Sequence, residues 1–124
     1  MNPPLVLGPI VHYLNSLDAL NTSNQRIRDI MTGKAKEEIA PTGTFIWTDV
    51  RDLALAHVKA MELPEAGSKR FFVTAGYFSN KEIADIIRDA YPDLASKLPT
   101  KSTKGGDYPK EGEQSANTPS LVRY

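Results

Sequence analysis

Leu5-Val6-Leu7 is a continuous apolar run fenced by Pro3 and Pro4 on one side and by Pro9 on the other. A run without polar alternation fits a buried strand of a parallel sheet better than a surface strand. Neither leading proline can donate to a ladder, so pairing is expected to begin after them. Parallel strands need a crossover, and the remaining chain offers strand and helix signals in alternation, which sets an α/β class. The run opens almost at residue one and reads as the middle of a domain.

Pro9 to Leu20 carries Ile10, Val11, Tyr13, Leu14, Leu17 and Leu20 without a clean period and reads as a loop with helical turns. Asn21 and Thr22 then offer caps, Thr22-x-x-Gln25 has the spacing of a capping box, and Ile27, Ile30 and Met31 fall at helical intervals. Gly33 suits the left-handed position after a helix end. Lys34 to Thr44 is a polar loop with Pro41 and Gly43, leading into the short strand Phe45-Ile46-Trp47. Thr48 or Asp49 caps the next helix, whose Val50, Leu53, Ala54, His57, Val58 and Met61 form one broad face up to about Leu63. Pro64 and Gly67 end it. Arg70 to Ala75, rich in aromatic and branched residues between Gly67 and Gly76, is expected to be a strand. Ser79-Asn80-Lys81-Glu82 spells a capping box ahead of Ile83, Ile86, Ile87 and Ala90, and Pro92 stops that helix. From Pro99 to about Ser120 the chain has almost no large apolar side chain, too little to offset the entropy of ordering it. Residues 100–124 are therefore expected to be a polar, disordered tail. No internal repeat is visible.

The chain has 124 residues, enough for one small domain. Its 15 lysines and arginines balance 15 aspartates and glutamates, with no long block of one sign, so no nucleic-acid or acidic-membrane partner is expected. The absence of cysteine excludes a disulfide scaffold and a cysteine-based zinc site, and His12 and His57 stand too far apart for a metal motif. No apolar run reaches the roughly 18 residues that span a bilayer, and no basic flank with an apolar signal core opens the chain. A cytoplasmic protein without metal is the expectation.

Asp49 and Asp52 at a helix start are better explained by capping and the macrodipole than by acid/base work. Arg51, a cation in the first turn, opposes the dipole, so a partner carboxylate or a cofactor-facing role has to compensate, and an internal salt bridge is the better account. His57 reads as a hydrogen-bonded, half-buried side chain rather than a catalytic base. Phe45, Trp47, Phe71, Phe72 and Tyr77 suit either an apolar cleft or core packing, the latter being the simpler account.

Together, Asn2-Pro3-Pro4-Leu5-Val6-Leu7-Gly8-Pro9 and Phe45-Ile46-Trp47-Thr48-Asp49-Val50-Arg51-Asp52-Leu53-Ala54-Leu55-Ala56-His57 resemble the C-terminal half of an extended short-chain dehydrogenase/reductase. Within that NAD-dependent epimerase/dehydratase family the likeness is to dihydroflavonol reductase-like ketone and aldehyde reductases, over about residues 2–99. The resemblance implies a partial Rossmann-type NAD(P)-binding fold: its C-terminal substrate-binding portion, residues 1–99, with short strands and about three helices. It implies NADP(H) or NAD(H) as cofactor in the intact family and a small carbonyl compound as substrate. Pro3, Pro4 and Leu5 would border the nicotinamide, and Leu5, Asn21 and Thr22 would shape the substrate pocket.

The family also needs a Gly-x-x-Gly-x-x-Gly turn, so that backbone can approach the pyrophosphate. No such turn occurs here, and the only adjacent glycines are Gly105 and Gly106. It needs a Tyr-x-x-x-Lys helix, in which the lysine lowers the tyrosine pKa so that the phenol passes its proton to a carbonyl oxygen. The chain is expected to lack such a pair and so to hold no catalytic residue of its own. The expectation is a C-terminal fragment of an NAD(P)H-dependent oxidoreductase, inactive alone. The alternatives are a non-catalytic module that pairs with a full-length homologue through an open sheet edge, or an unstable remnant.

Overall fold

In a computed structural model, residues 1–11 and 13–108 are described, and the end of the expected tail, 109–124, lies outside them. The chain divides into two compact units, one formed by Met1–Val11 with Ile46–Tyr77, the other by residues 13–45 with 78–108. The expected segment 1–99 is thus two units.

In the first unit, β1 (Leu5–Leu7) pairs in parallel with β3 (Ile46–Asp49), with Leu5 opposite Trp47 and Leu7 opposite Asp49. β3 also pairs antiparallel with β4 (Gly76–Tyr77). The apolar run is therefore a parallel strand that starts after the two prolines. Helix α2 (Val50–Glu62) follows β3 without a linker, because Asp49 ends the strand and caps the helix by accepting from the Arg51 N–H at 2.8 Å. Pro64 opens the 3₁₀ turn that ends it.

The face α2 turns inward is not the expected one. Leu53, Ala56 and Ala60 are half-buried, whereas Val50, Ala54, His57, Val58 and Met61 are exposed, Met61 by 80%. The run Arg70 to Ala75 is not a regular strand either; one parallel bridge joins Phe72 to Asn2, whose N–H donates to the Phe71 carbonyl at 2.7 Å. The next residue on that side of the ladder is Pro4, which has no N–H, so the pairing stops after one rung.

The second unit carries the core. α1 (Thr22–Met31) and α3 (Asn80–Ala90) pack Ile30, Ala84 and Ile87 with Ala35, Ile39 and Leu98. α1 ends in a Schellman arrangement: Gly33, at φ 93°, donates to the Ile30 carbonyl and Lys34 to that of Asp29. The expected Thr22–Gln25 capping box does not form. Asn21 is the cap, its Oδ1 accepting from Asn24 Nδ2 at 2.8 Å, and Gln25 Nε2 reaches back to the Leu20 carbonyl. At α3 the capping box is complete, with Ser79 Oγ accepting from the Glu82 N–H at 3.1 Å and Glu82 Oε2 from the Ser79 N–H at 2.8 Å.

Two further expectations fail here for one reason. The loop Lys34 to Thr44 contains strand β2 (Glu38–Ile39), and the tail contains β5 (Lys104–Gly105), which pairs with it in parallel. Ile39 and Leu98 are each 1% exposed, and Arg88 holds the Pro99 carbonyl. Residues 99–108 are thus built into the unit, held by backbone pairing and buried polar contacts rather than by large apolar side chains. Leu98→Ala is expected to lower stability by about 2–5 kcal/mol, and Ser79→Ala by about 1 kcal/mol, both measured by urea unfolding; a Leu98→Ala cost below that range would contradict this packing.

Candidate functional site

The residues expected near a cofactor or substrate fall in both units. In the first, Pro3 is exposed, Pro4 half-buried and Leu5 buried where it enters β1. In the second, Asn21 and Thr22 are exposed at the start of α1. The structure thus keeps Pro3, Pro4 and Leu5 contiguous and brings Asn21 and Thr22 together on one helix start.

Around the first group, the strongest electrostatic feature is Asp49 with Arg51. Arg51 Nε and Nη2 donate to the two carboxylate oxygens at 2.9 and 2.6 Å, the partner its first-turn position called for. The Arg51 side-chain hydrogen bonds, then its backbone N–H, hold the Asp49 carboxyl down at about 2. Both aspartates are thereby accounted for structurally, Asp49 as cap and Asp52 in the first turn of α2. His57 Nδ1 lies 2.8 Å from the Leu53 carbonyl; a carbonyl only accepts, so Nδ1 carries the proton. The hydrogen bond was expected, the exposure of the ring was not.

Beside α2 lies an open apolar cavity of about 670 Å³, lined by Ala56, Ala60 and Leu63 and by residues 71–77. Phe71, Phe72 and Tyr77 therefore face a cleft, while Phe45 is buried in the other unit. Lys59 lies on its wall and pairs with Glu62 at 2.9 Å.

The expectation that no tyrosine has a lysine four residues on is corrected by Tyr77 and Lys81. They do not form the reductase pair, which needs both residues on one helix, since Tyr77 belongs to β4 and Lys81 to the first turn of α3. In α1, sequence reading passed over Arg26, whose guanidinium lies over the Phe78 ring, 5.8 Å from its centroid. A signal was present: Arg26 and Arg28 both precede a single carboxylate, Asp29, and Arg28 takes it at 3.0 Å.

A dinucleotide pyrophosphate needs a glycine turn with open space above the backbone. Gly105 and Gly106, at φ 88° and 71°, offer none: a Cβ on Gly105 would stand 2.1 Å from the Ile39 carbonyl oxygen, and one on Gly106 2.4 Å from Ile39 Cγ2. Their space is filled by β2, so this pair of glycines does not form the cradle.

Short parallel strands, strand-to-helix connections and the proline-led β1 define a portion of a Rossmann-type α/β fold. No protein-family model matches the chain. Over 100 residues, 80% of this chain and 30% of the relative, it is 55% identical to ketoreductase azaE of Aspergillus niger. It is 34% identical over 114 residues, 91% of this chain and 33% of the relative, to a putative NADPH-dependent methylglyoxal reductase, GRP2, of Candida albicans. Among solved structures, Gre2 from Candida albicans superposes with a TM-score of 0.64 at 33% identity, over 85% of this chain and 30% of that one. The chain belongs to the extended short-chain dehydrogenase/reductase family, and it spans about a third of the length of these curated relatives.

Because the folded-state pKa of Asp49 lies below its unfolded value, the contribution of its ion pair is present above the unfolded pKa of about 4 and is lost as pH falls through about 2. A carboxyl titration followed by NMR is expected to show Asp49 with a midpoint near 2, moving up towards the ordinary range in Arg51→Ala.

Proposed function

We propose that this chain is the C-terminal, substrate-binding portion of an NADPH-dependent reductase of ketones or aldehydes and that it does not transfer hydride alone. Its 55% identity to a ketoreductase, over 30% of that protein's length, carries the reading. The filled space at Gly105 and Gly106 supports the second half of it. In this reading Pro3, Pro4 and Leu5 border the nicotinamide, because a proline-led entry gives a rigid backbone edge. Asn21 and Thr22 shape the pocket for the carbonyl compound, with exposed polar groups at a helix start. NADP(H) or NAD(H) is the cofactor in this reading, its pyrophosphate not held by Gly105 and Gly106, and cytoplasmic residence is part of the same proposal. Among the described residues, no helix is long and apolar enough to cross a membrane.

A second reading has its own observation. Leu55, Val58 and Met61 on α2 are 58%, 44% and 80% exposed, and the Asn2–Phe72 bridge leaves strand-forming residues with a single rung. Both features suit pairing with a full-length homologue that supplies apolar surface and a strand edge.

With NADPH and methylglyoxal, the 124-residue chain is expected to show no NADPH oxidation above a heat-killed control; measured turnover would sink the first reading. Size-exclusion chromatography with a full-length reductase tests the second, and unchanged elution of both proteins would count against it.

A further inference from the structure

Helix α2 has two faces, and the chain uses one of them. Leu53, Ala56 and Ala60 turn inward, while Arg51, Leu55, Val58 and Glu62 are exposed on the opposite side. Those four residues follow one another at spacings of four, three and four, which place them on one line along the helix and match the seam of a coiled coil. The seam is apolar at its centre, basic at its N-terminal end and acidic at its C-terminal end.

Its two edges are equally regular. Exposed Ala54 and Met61 run along one edge and exposed Asp52 and Lys59 along the other, each pair one heptad apart. Asp52 has no ion pair among the described residues, and Lys59 holds only its own Glu62 in solvent, a pair of little weight. Arg51 gives Nε and Nη2 to Asp49, while its Nη1 has no acceptor among the described residues.

This pattern is complementary to itself in the antiparallel orientation. Set across a two-fold axis against a second copy of α2, Leu55 meets the partner's Val58, and Ala54 meets the partner's Met61. At the ends Arg51 meets the partner's Glu62, and along the other edge Asp52 meets the partner's Lys59. All four charges of the face then stand against their opposites, and the two-fold repeats each contact. In the parallel orientation Arg51 would stand beside the partner's Arg51 and Glu62 beside the partner's Glu62, like charges that repel.

We propose that the exposed face of α2 is a self-association surface, on which two copies of this chain pair α2 antiparallel to α2. The proposal shares this face with the homologue reading above but stands without it, since the partner is a second copy and no full-length protein is needed. The 13 residues of α2 give a seam of about 20 Å, short of the roughly 800 Å² a side of a standard interface. The dimer is therefore weak, and charge register rather than area selects its geometry.

The test is analytical ultracentrifugation of the 124-residue chain alone, from about 10 μM to about 1 mM, the range of weak association. Reversible dimerisation is expected, weakened by salt as the exposed charges are screened. Asp52→Lys sets a lysine against the partner's Lys59 at both ends of the contact and is expected to weaken dimerisation by about tenfold or more. Lys59→Asp is expected to do the same, and the two changes in one chain to return the dissociation constant to within about threefold of the parent. Both changes oppose the helix dipole, so damage to the helix alone would accumulate in the double variant instead of cancelling. Orientation is read separately by oxidative cross-linking, which the absence of cysteine from the chain makes specific. Chains carrying Ala54→Cys and Met61→Cys at these exposed positions, mixed in equal amounts, are expected to form the mixed dimer above its statistical share. Monomer at every concentration, a double variant no tighter than the single ones, or a mixed dimer at or below its statistical share would overturn the proposal. Co-elution with a full-length reductase is a separate measurement, so failure of the homologue reading and failure of self-association are told apart.

Discussion

A buried polar knot around Thr42 holds the second unit together. The Thr42 hydroxyl donates to the Gly106 carbonyl at 2.8 Å and accepts from the Asn80 N–H at 2.9 Å. Asn80 Nδ2 reaches the Ala40 carbonyl at 2.9 Å, and the Lys81 N–H reaches the same Gly106 carbonyl at 3.0 Å. Three segments far apart in sequence are thereby fixed at the start of α3, and the two bonds of the Thr42 hydroxyl are buried, where a lost partner costs the full desolvation of the group left behind. The pairing of β2 with β5 and the closure of Ile39 over Gly105 and Gly106 depend on this register.

The knot also explains which parts of the fold were legible in the sequence. Helix limits were, because they are written in adjacent residues: Asp49 before α2, Ser79 and Glu82 at α3, Gly33 after α1, Pro64 and Pro92 as stops. The last segment was not, because Lys104, Gly105 and Gly106 carry no apolar signature and are ordered by partners distant in sequence, in β2, at Thr42 and at Lys81. Arg70 to Ala75 has the composition of a strand, but the ladder is cut by Pro4, a residue in a different part of the chain. The α2 face was misjudged because its apolar residues nearly encircle the helix, so spacing alone did not say which side is covered.

For the site the division is similar. The family was legible from the proline-led strand and the strand-to-helix turn at Asp49, both local patterns, and so was the need of Arg51 for a carboxylate. The condition of Arg26 was not, since it follows from a competition that geometry decides: Asp29 is three residues from Arg26 and one from Arg28, yet Arg28 takes it and Arg26 lies over Phe78.

The two units differ in how fully their own residues satisfy them, and that difference bears on function. The second has a contiguous core of Ile30, Ile39, Ala84, Ile87 and Leu98, with a Schellman stop and a complete capping box. The first rests on strands of at most four residues, and α2 buries no residue completely. A sheet so small needs apolar cover for independent stability, while Val58 and Met61 remain in solvent. Within one chain, then, the unit that contains the strand-to-helix turn of the reductase family is the one whose apolar surface exceeds what its own residues cover. A reductase needs a continuous sheet to aim its glycine turn at the dinucleotide, and here the adjacent glycines are spent on closing β2 against β5.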